Sequence, residues 1–300
     1  MSLHVLAAGH LTTVQDRGRP GYAHLGVPRA GALDRPAADL ANRLVGNPQG
    51  AAVLEVTLGG LTVRADRDCW VAVTGADGPV GVDGVARGHA RAERLPAGAV
   101  LEVGTPRRGV RSYVAVGGGI AVEPVLGSRS TDTLAWIGPP RVVDGAVLPV
   151  GEPAGGPVPH DTPRPPAAGP LRVHPGPRAD WFAGDPLAAV CAATYSVDAA
   201  SNRVGLRLDG PPLERARGGE LASEGMVLGA VQVPPSGRPV VFLADHPVTG
   251  GYPVVAVVDA ADLWRCAQLR PGDEVRFAPA GSGSGSAGTS SGATTRTSNS

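Results

Sequence analysis

Gly127-Ser128-Arg129-Ser130-Thr131-Asp132 is the densest run of chemically capable side chains in the first half of the chain. A guanidinium fork beside three hydroxyls, on a loop that opens with glycine, can hold an anion. The same Ser and Thr side chains can instead bond their own backbone. In the second half, Gln232 shares an alternating face with Met226, Leu228 and Ala230, so its amide needs a partner from protein, water or ligand. Asp245 and His246 follow an apolar strand and are of the types that transfer protons. Asp245 suits a buried turn acceptor equally well. Thr249-Gly250-Gly251-Tyr252 gives a loop whose backbone can approach a ligand closely. Near the start, Thr12 to Arg19 gathers polar groups that read as a capped turn with surface charges. Asp16 and Arg17 point apart there if the chain is extended.

The glycine runs fail as nucleotide loops. Gly117-Gly118-Gly119 follows a strand but opens no helix and lacks the GxGxxG spacing. Gly26 to Gly31 has the Walker glycine spacing but is followed by Ala32 rather than Lys.

These groups must be positioned by strands. Gly 44 and Pro 30 recur between short apolar runs, the punctuation of many short strands. Trp70–Thr74, Val100–Val103, Ser112–Val116, Met226–Val233, Val240–Leu243 and Val254–Val258 read as strands, and two of these, Val240–Leu243 and Val254–Val258, as buried on both faces. Asp34 caps a helix with Pro36 in its first turn, Ala37, Leu40, Ala41, Leu44 and Val45 on one face, and Gly46 to end it. A second helix is expected over Asp259 to Leu269, before Pro271-Gly272. Residues 153–170 read as a Pro/Gly-rich linker between an N-terminal β-rich lobe (1–152) and a C-terminal lobe (171–279). Residues 280–300 read as a disordered tail. Asp144-Gly145 before Val147-Leu148 echoes Pro271-Gly272-Asp273 before Val275-Arg276-Phe277, in keeping with two similar lobes.

Composition narrows the function. The chain has 300 residues, suggesting about two domains at about 150 residues each. Lys+Arg and Asp+Glu are both 27, which argues against general nucleic-acid affinity. Every one of those bases is arginine, so no Schiff base, P-loop lysine or biotinylated lysine can form on this chain. Cys69, Cys191 and Cys266 lie far apart without a CxxC pair, so neither a disulfide framework nor a zinc site is expected, and no metal ligands are assigned. The N-terminal stretch lacks a basic region, and no apolar run reaches about 18 residues, so the expected location is the cytoplasm, away from membranes.

Leu11-Thr12-Thr13-Val14-Gln15-Asp16-Arg17-Gly18-Arg19-Pro20-Gly21-Tyr22, Ala41-Asn42-Arg43-Leu44-Val45-Gly46-Asn47, Val125 to Asp132, Ser201-Asn202-Arg203-Val204-Gly205, Gln232-Val233-Pro234 and Thr249-Gly250-Gly251-Tyr252-Pro253 together resemble the allophanate hydrolase subunit 2 family of biotin-dependent carboxyltransferase domains. The resemblance reaches about Phe277, with departures at Ala30, Asn202, Val204 and Val248. It implies a mainly β fold of two cyclophilin-like β-barrel lobes with a few short helices. It implies the C component of an ATP-dependent 5-oxoprolinase, which opens 5-oxo-L-proline to L-glutamate. The other components of that enzyme are a B component, of the allophanate hydrolase subunit 1 type, and an A component. The alternatives it carries are the carboxyltransferase component of a biotin-dependent urea or amide carboxylase, using a separate carrier, and a non-enzymatic antagonist of a kinase inhibitor. Under the enzyme reading, Arg129, Asp132 and Asp245 are the catalytic candidates. Ser130, Arg203, Gln232, Thr249 and Tyr252 are the substrate-binding ones, Arg203 toward a carboxylate. ATP is expected to be shared with the partner protein, with Mg an option beside it and no covalent biotin here.

Overall fold

The computed structural model describes residues 1–158, 169–219 and 221–281. The first half forms two antiparallel sheets. One has the spatial order Val147–Pro149, Ser2–Ala8, Leu61–Ala65, Val100–Val103, Val80–Val82, Val85–Arg87; the other has the order Leu11–Gln15, Val53–Thr57, Arg108–Val116, Cys69–Asp77, Ala92–Leu95. Period-two alternation decides what each strand gives to each face. Leu54, Val56, Val71, Val73, Val114 and Val116 enter the core with Leu3, Val63 and Leu101. Their neighbours Val53, Ala72, Tyr113 and Ala115 turn to the other face of the second sheet, where helix α1 (Arg35–Leu44) packs. Glu55 and Arg111 fall on that same outer face, and Glu55 sits opposite Tyr113 in register.

Helix α1 follows the expected pattern. The Asp34 carboxylate accepts from Ala37 N at 3.0 Å, and Pro36 sits in the first turn. Gly46 follows at φ +74°, where a Cβ would lie 2.2 Å from Gly156 O, so only glycine can end the helix there.

The second half closes into a seven-stranded barrel: Leu171–Pro175, Val254–Val258, Ala230–Gln232, Val240–Phe242, Gly205–Asp209, Thr194–Val197 and Glu274–Pro279, the last returning to the first. That closing pair is parallel and the others are antiparallel. Closure leaves no free edge. Val231, Val241, Val255 and Val258 fill the interior with Tyr195 and Phe277, whose rings meet edge to face at 5.9 Å. Ala230, Phe242 and Val254 form a second apolar cluster with Met226, Val240 and Val257. Val240–Leu243 and Val254–Val258 are therefore covered on both sides, as their uninterrupted apolar sequence predicts.

Three expectations about elements change. Helix α2 (Pro186–Ala192), capped by Asp185, was not anticipated. The expected helix over Asp259–Leu269 contracts to α3 (Leu263–Cys266), because Asp259 and Asp262 turn their carboxylates toward His174 and Arg172 and the chain proceeds in i→i+3 turns. The strand over Met226–Val233 contracts to Ala230–Gln232. The linker expectation at 159–168 and the tail beyond 281 lie outside the described residues. No helix among the described residues is long and apolar enough to cross a membrane.

Candidate functional site

The loop that suits an anion does hold one, and the anion is the protein's own. Ser128 Oγ and Ser130 Oγ each donate to Asp16 Oδ1 at 2.6 Å, and Arg129 N donates to Asp16 Oδ2 at 2.6 Å. Gly18 N adds a fourth donor at 2.7 Å. Asp16 therefore pins the start of the chain to the 127–132 loop, while Arg17 points away to Gln49 and Asp39. Arg19 is buried and donates to the carbonyls of Ser130 and Val125. The Arg129 side chain is half-buried, and its Nε donates to Val122 O at 2.6 Å. Asp132 accepts from Leu134 N and Ala135 N at 2.9 and 2.8 Å, which closes a turn.

A buried charge network runs along the seam between the halves. Arg203 Nε and Nη2 form a two-point pair with Asp245 at 2.8 and 3.0 Å. Its Nη1 donates to Glu55, and Nη2 also reaches Gly31 O at 2.8 Å. Thr133 N and Oγ1 donate to Asp245 at 2.9 and 2.7 Å, joining the 127–132 loop region to the barrel. Glu55 further accepts from Leu33 N at 3.0 Å and Tyr113 OH at 2.9 Å, and Arg111 lies 3.4 Å away. Arg203, Asp245 and Glu55 side chains are at most 1% exposed. Burial alone would lower Arg203, but Asp245 and Glu55 outweigh it and hold it above its ordinary value. Arg111 is less well compensated, and burial takes it below its ordinary value despite Glu55. Burial, then Glu55 and Asp34, push the Tyr113 hydroxyl well up, so it stays a neutral donor. Beside this network the seam opens into a cavity of about 340 Å³ lined by Arg111, Arg203, Thr133, Leu58 and Trp136 among others. Leu58 and Trp136 are both in the left-handed region, at φ +59° and +57°, a strained backbone for such side chains.

The remaining candidates gather on the outer face of the barrel. Gln232 Nε2 donates to Tyr252 O at 3.2 Å and lies 3.9 Å from Met226 Sδ. A Cβ on Gly250 would lie 2.7 Å from that Nε2, so the antiparallel pair Glu224–Gly225/Thr249–Gly250 covers Gln232 closely, and a side chain at Gly250 would push the Gln232 amide aside. His246 stacks on Phe242 with centroids 5.6 Å apart and planes 7° apart, and its Nδ1 lies 2.7 Å from Pro247 O. Burial lowers the imidazole below its usual value, leaving it neutral at neutral pH. Gln232, Phe242, His246, Tyr252 and Met226 thus put a polar amide and a neutral imidazole on an apolar wall. Thr249 is exposed at the rim. Asp245, next in sequence to His246, belongs to the seam.

Sequence reasoning singled out Ser130, Asp132, Arg203 and Asp245, and the structure links their segments through Thr133. Gln232, Thr249 and Tyr252 form a separate group. Glu55, Arg111, Tyr113 and Arg19 were missed. One signal did exist: Glu55 is a single charge inside the apolar run Val53-Leu54-Glu55-Val56. Among the described residues, no group of three or more His, Cys, Asp or Glu is placed to hold a metal ion.

Residues 25–279 match the family model described as carboxyltransferase domain, subdomain A and B. The chain belongs to that family. It is 39% identical to the C subunit of 5-oxoprolinase from Escherichia coli, over 92% of this chain and 90% of that one. It is 31% identical to urea amidolyase of Saccharomyces cerevisiae, over 93% of this chain but only 16% of that protein. Among solved structures, that of TTHA0988 superposes with a TM-score of 0.83 at 41% identity, over 92% of this chain and 55% of the other. The urea amidolyase of K. lactis gives 0.86 at 31% identity, over 93% and 18%. The mainly β class expected from the resemblance is present; of the two barrel lobes it implies, the second half closes into a seven-stranded barrel and the first half forms two antiparallel sheets. Relatives named as a subunit of one enzyme and as part of another support a place for this chain within an enzyme assembly.

Proposed function

We propose that this carboxyltransferase-family chain is the C component of an ATP-dependent 5-oxoprolinase, acting with the A and B components to open 5-oxo-L-proline to L-glutamate. The observation that carries this reading is the near end-to-end match to the E. coli protein, in which 92% of one chain meets 90% of the other. A lactam carbonyl is a poor electrophile; phosphorylation of its oxygen by ATP activates the carbon, water adds there, the C–N bond breaks as the nitrogen takes a proton, and a second water releases phosphate from the resulting acyl phosphate to leave L-glutamate. Catalysis then rests on positioning and on donors facing developing charge.

The residues of this chain divide that work unevenly. Arg19 and Arg203 are committed to protein acceptors, the Ser128 and Ser130 hydroxyls of the 127–132 loop are committed to Asp16, and Thr131 Oγ1 donates to Pro139 O. No nucleotide cradle forms there, so ATP must meet other groups or be shared with a partner protein. The outer barrel face is the better candidate for the lactam. Gln232 can offer its amide to a ring carbonyl or N–H, neutral His246 can take or give a proton, and Phe242 and Met226 can pack the ring methylenes. The test is glutamate release from 5-oxoproline and ATP by the three mixed components, against a mixture lacking only this chain. Turnover should vanish without it. Equal turnover in both mixtures would remove the reading. Gln232→Leu and His246→Ala should each lower turnover at least about tenfold with assembly intact, and Arg129→Ala tests the loop the same way.

A second reading, carboxyl transfer from a biotin carried on another protein, is favoured by the family description and the urea amidolyase matches. The missing lysines require that separate carrier. Carboxylated product formed from bicarbonate only with an added biotin carrier would favour it.

A further inference from the structure

On the α1 side of the seam lies a second cavity, of about 300 Å³, with walls of two kinds. Leu33, Leu228, Leu263 and Trp264 are apolar, while Arg29 and Arg35 bring fixed positive charge. Neither arginine pairs with a carboxylate among the described residues; Arg35 Nη2 reaches only Arg17 O, at 3.4 Å. The neighbouring acids are engaged elsewhere. Asp16 is held by the 127–132 loop, Asp34 caps α1 and accepts from Gln268, and Asp39 faces Arg17 at 3.5 Å. Arg35 is depressed by burial and then by the like charges of Arg29 and Arg17, only partly offset by Asp39. In a chain of zero net charge this is a local cationic excess at the mouth of a cavity.

We propose that this cavity binds an organic phosphate, its phosphate oxygens on Arg29 and Arg35 and its flat apolar body against Trp264, Leu228 and Leu263. Two guanidinium forks offer more donors than one carboxylate can accept, whereas a phosphate has three terminal oxygens to share between them. The apolar wall has no charge to bind and selects for a ligand with a body. The volume is at the lower end of small-molecule sites, about 300–1,000 Å³.

The proposal does not depend on the oxoprolinase reading, and its readout is binding rather than turnover. Isothermal titration of the full chain at low salt would compare ATP, pyrophosphate and adenosine. Both phosphates should bind, ATP at least tenfold tighter than pyrophosphate. The Arg29→Ala/Arg35→Ala variant should weaken both at least tenfold, and Trp264→Ala should weaken ATP alone. Arg29→Glu, at an exposed position, gives the same test if the double variant does not fold. Absence of binding at millimolar ligand, binding unchanged in the arginine variants, or ATP no tighter than pyrophosphate would overturn the proposal.

Discussion

Replacing Arg203 with Met removes one cation from between two buried carboxylates. Asp245 loses two hydrogen bonds and keeps the two from Thr133. Glu55 loses one and keeps Tyr113 OH, Leu33 N and the 3.4 Å approach of Arg111. Breaking a buried pair by removing one partner costs about 3–5 kcal/mol, and the upper half of that range applies because two acids are left facing each other. For a chain of this size that is a fall in Tm of roughly 10 °C or more. Urea unfolding would read it as a lower midpoint. A double-mutant cycle adding Asp245→Leu gives the decisive comparison. With the facing acid also gone, the pair of changes should cost about 1–3 kcal/mol less than the sum of the two single changes. A single-variant cost below about 1 kcal/mol, or strict additivity in the cycle, would refute the view that Arg203 is held by charge rather than by packing.

Three further outcomes follow from the geometry. Ser128→Ala and Ser130→Ala each delete a hydroxyl donating to the Asp16 carboxylate, so each should lower stability by about 1.5–3 kcal/mol in urea unfolding. Asp34 is pushed up to about 6 from 3.8, first by burial, so the folded protein holds this proton where the unfolded chain releases it. Its stabilising share is full below pH 4 and lost as pH rises through about 6; Asp34→Ala should therefore cost more at pH 4 than at pH 7, and an equal cost would contradict the assignment. Burial pushes the Cys69 and Cys266 thiols up to about 12, while Cys191 is only half-buried and less perturbed. A thiol reagent at neutral pH should modify Cys191 first in the native protein, as peptide mapping would show.

Local signals were legible and long-range ones were not. The cap, proline and glycine of α1 act within a few residues, and each works as its chemistry requires. Asp185-Pro186 carries the same signal for α2, but the 7 residues of that helix are too few for a helical period to show. Apolar runs at 240 and 254 reveal burial on both faces because nothing polar interrupts them. The anion-holding character of the 127–132 loop was readable, but its partner Asp16, more than a hundred residues earlier, was not. Arg203 looked like a free binder because Glu55 and Asp245 stand 148 and 42 residues from it, and no periodicity connects them.

The 148-residue separation of Glu55 and Arg203 also bears on synthesis. Glu55 leaves the ribosome long before its main counter-ion exists. Until then the outer face of the second sheet carries the carboxyl of Glu55, the phenol of Tyr113 and Arg111 rather than a bare apolar surface. Such polar positions resist edge and face association of an incomplete chain, as gatekeeper residues do. The contacts that close the seam are among the least local in the molecule and form late. The charge that fastens the two halves in the finished protein thus keeps the first half dispersed while it waits.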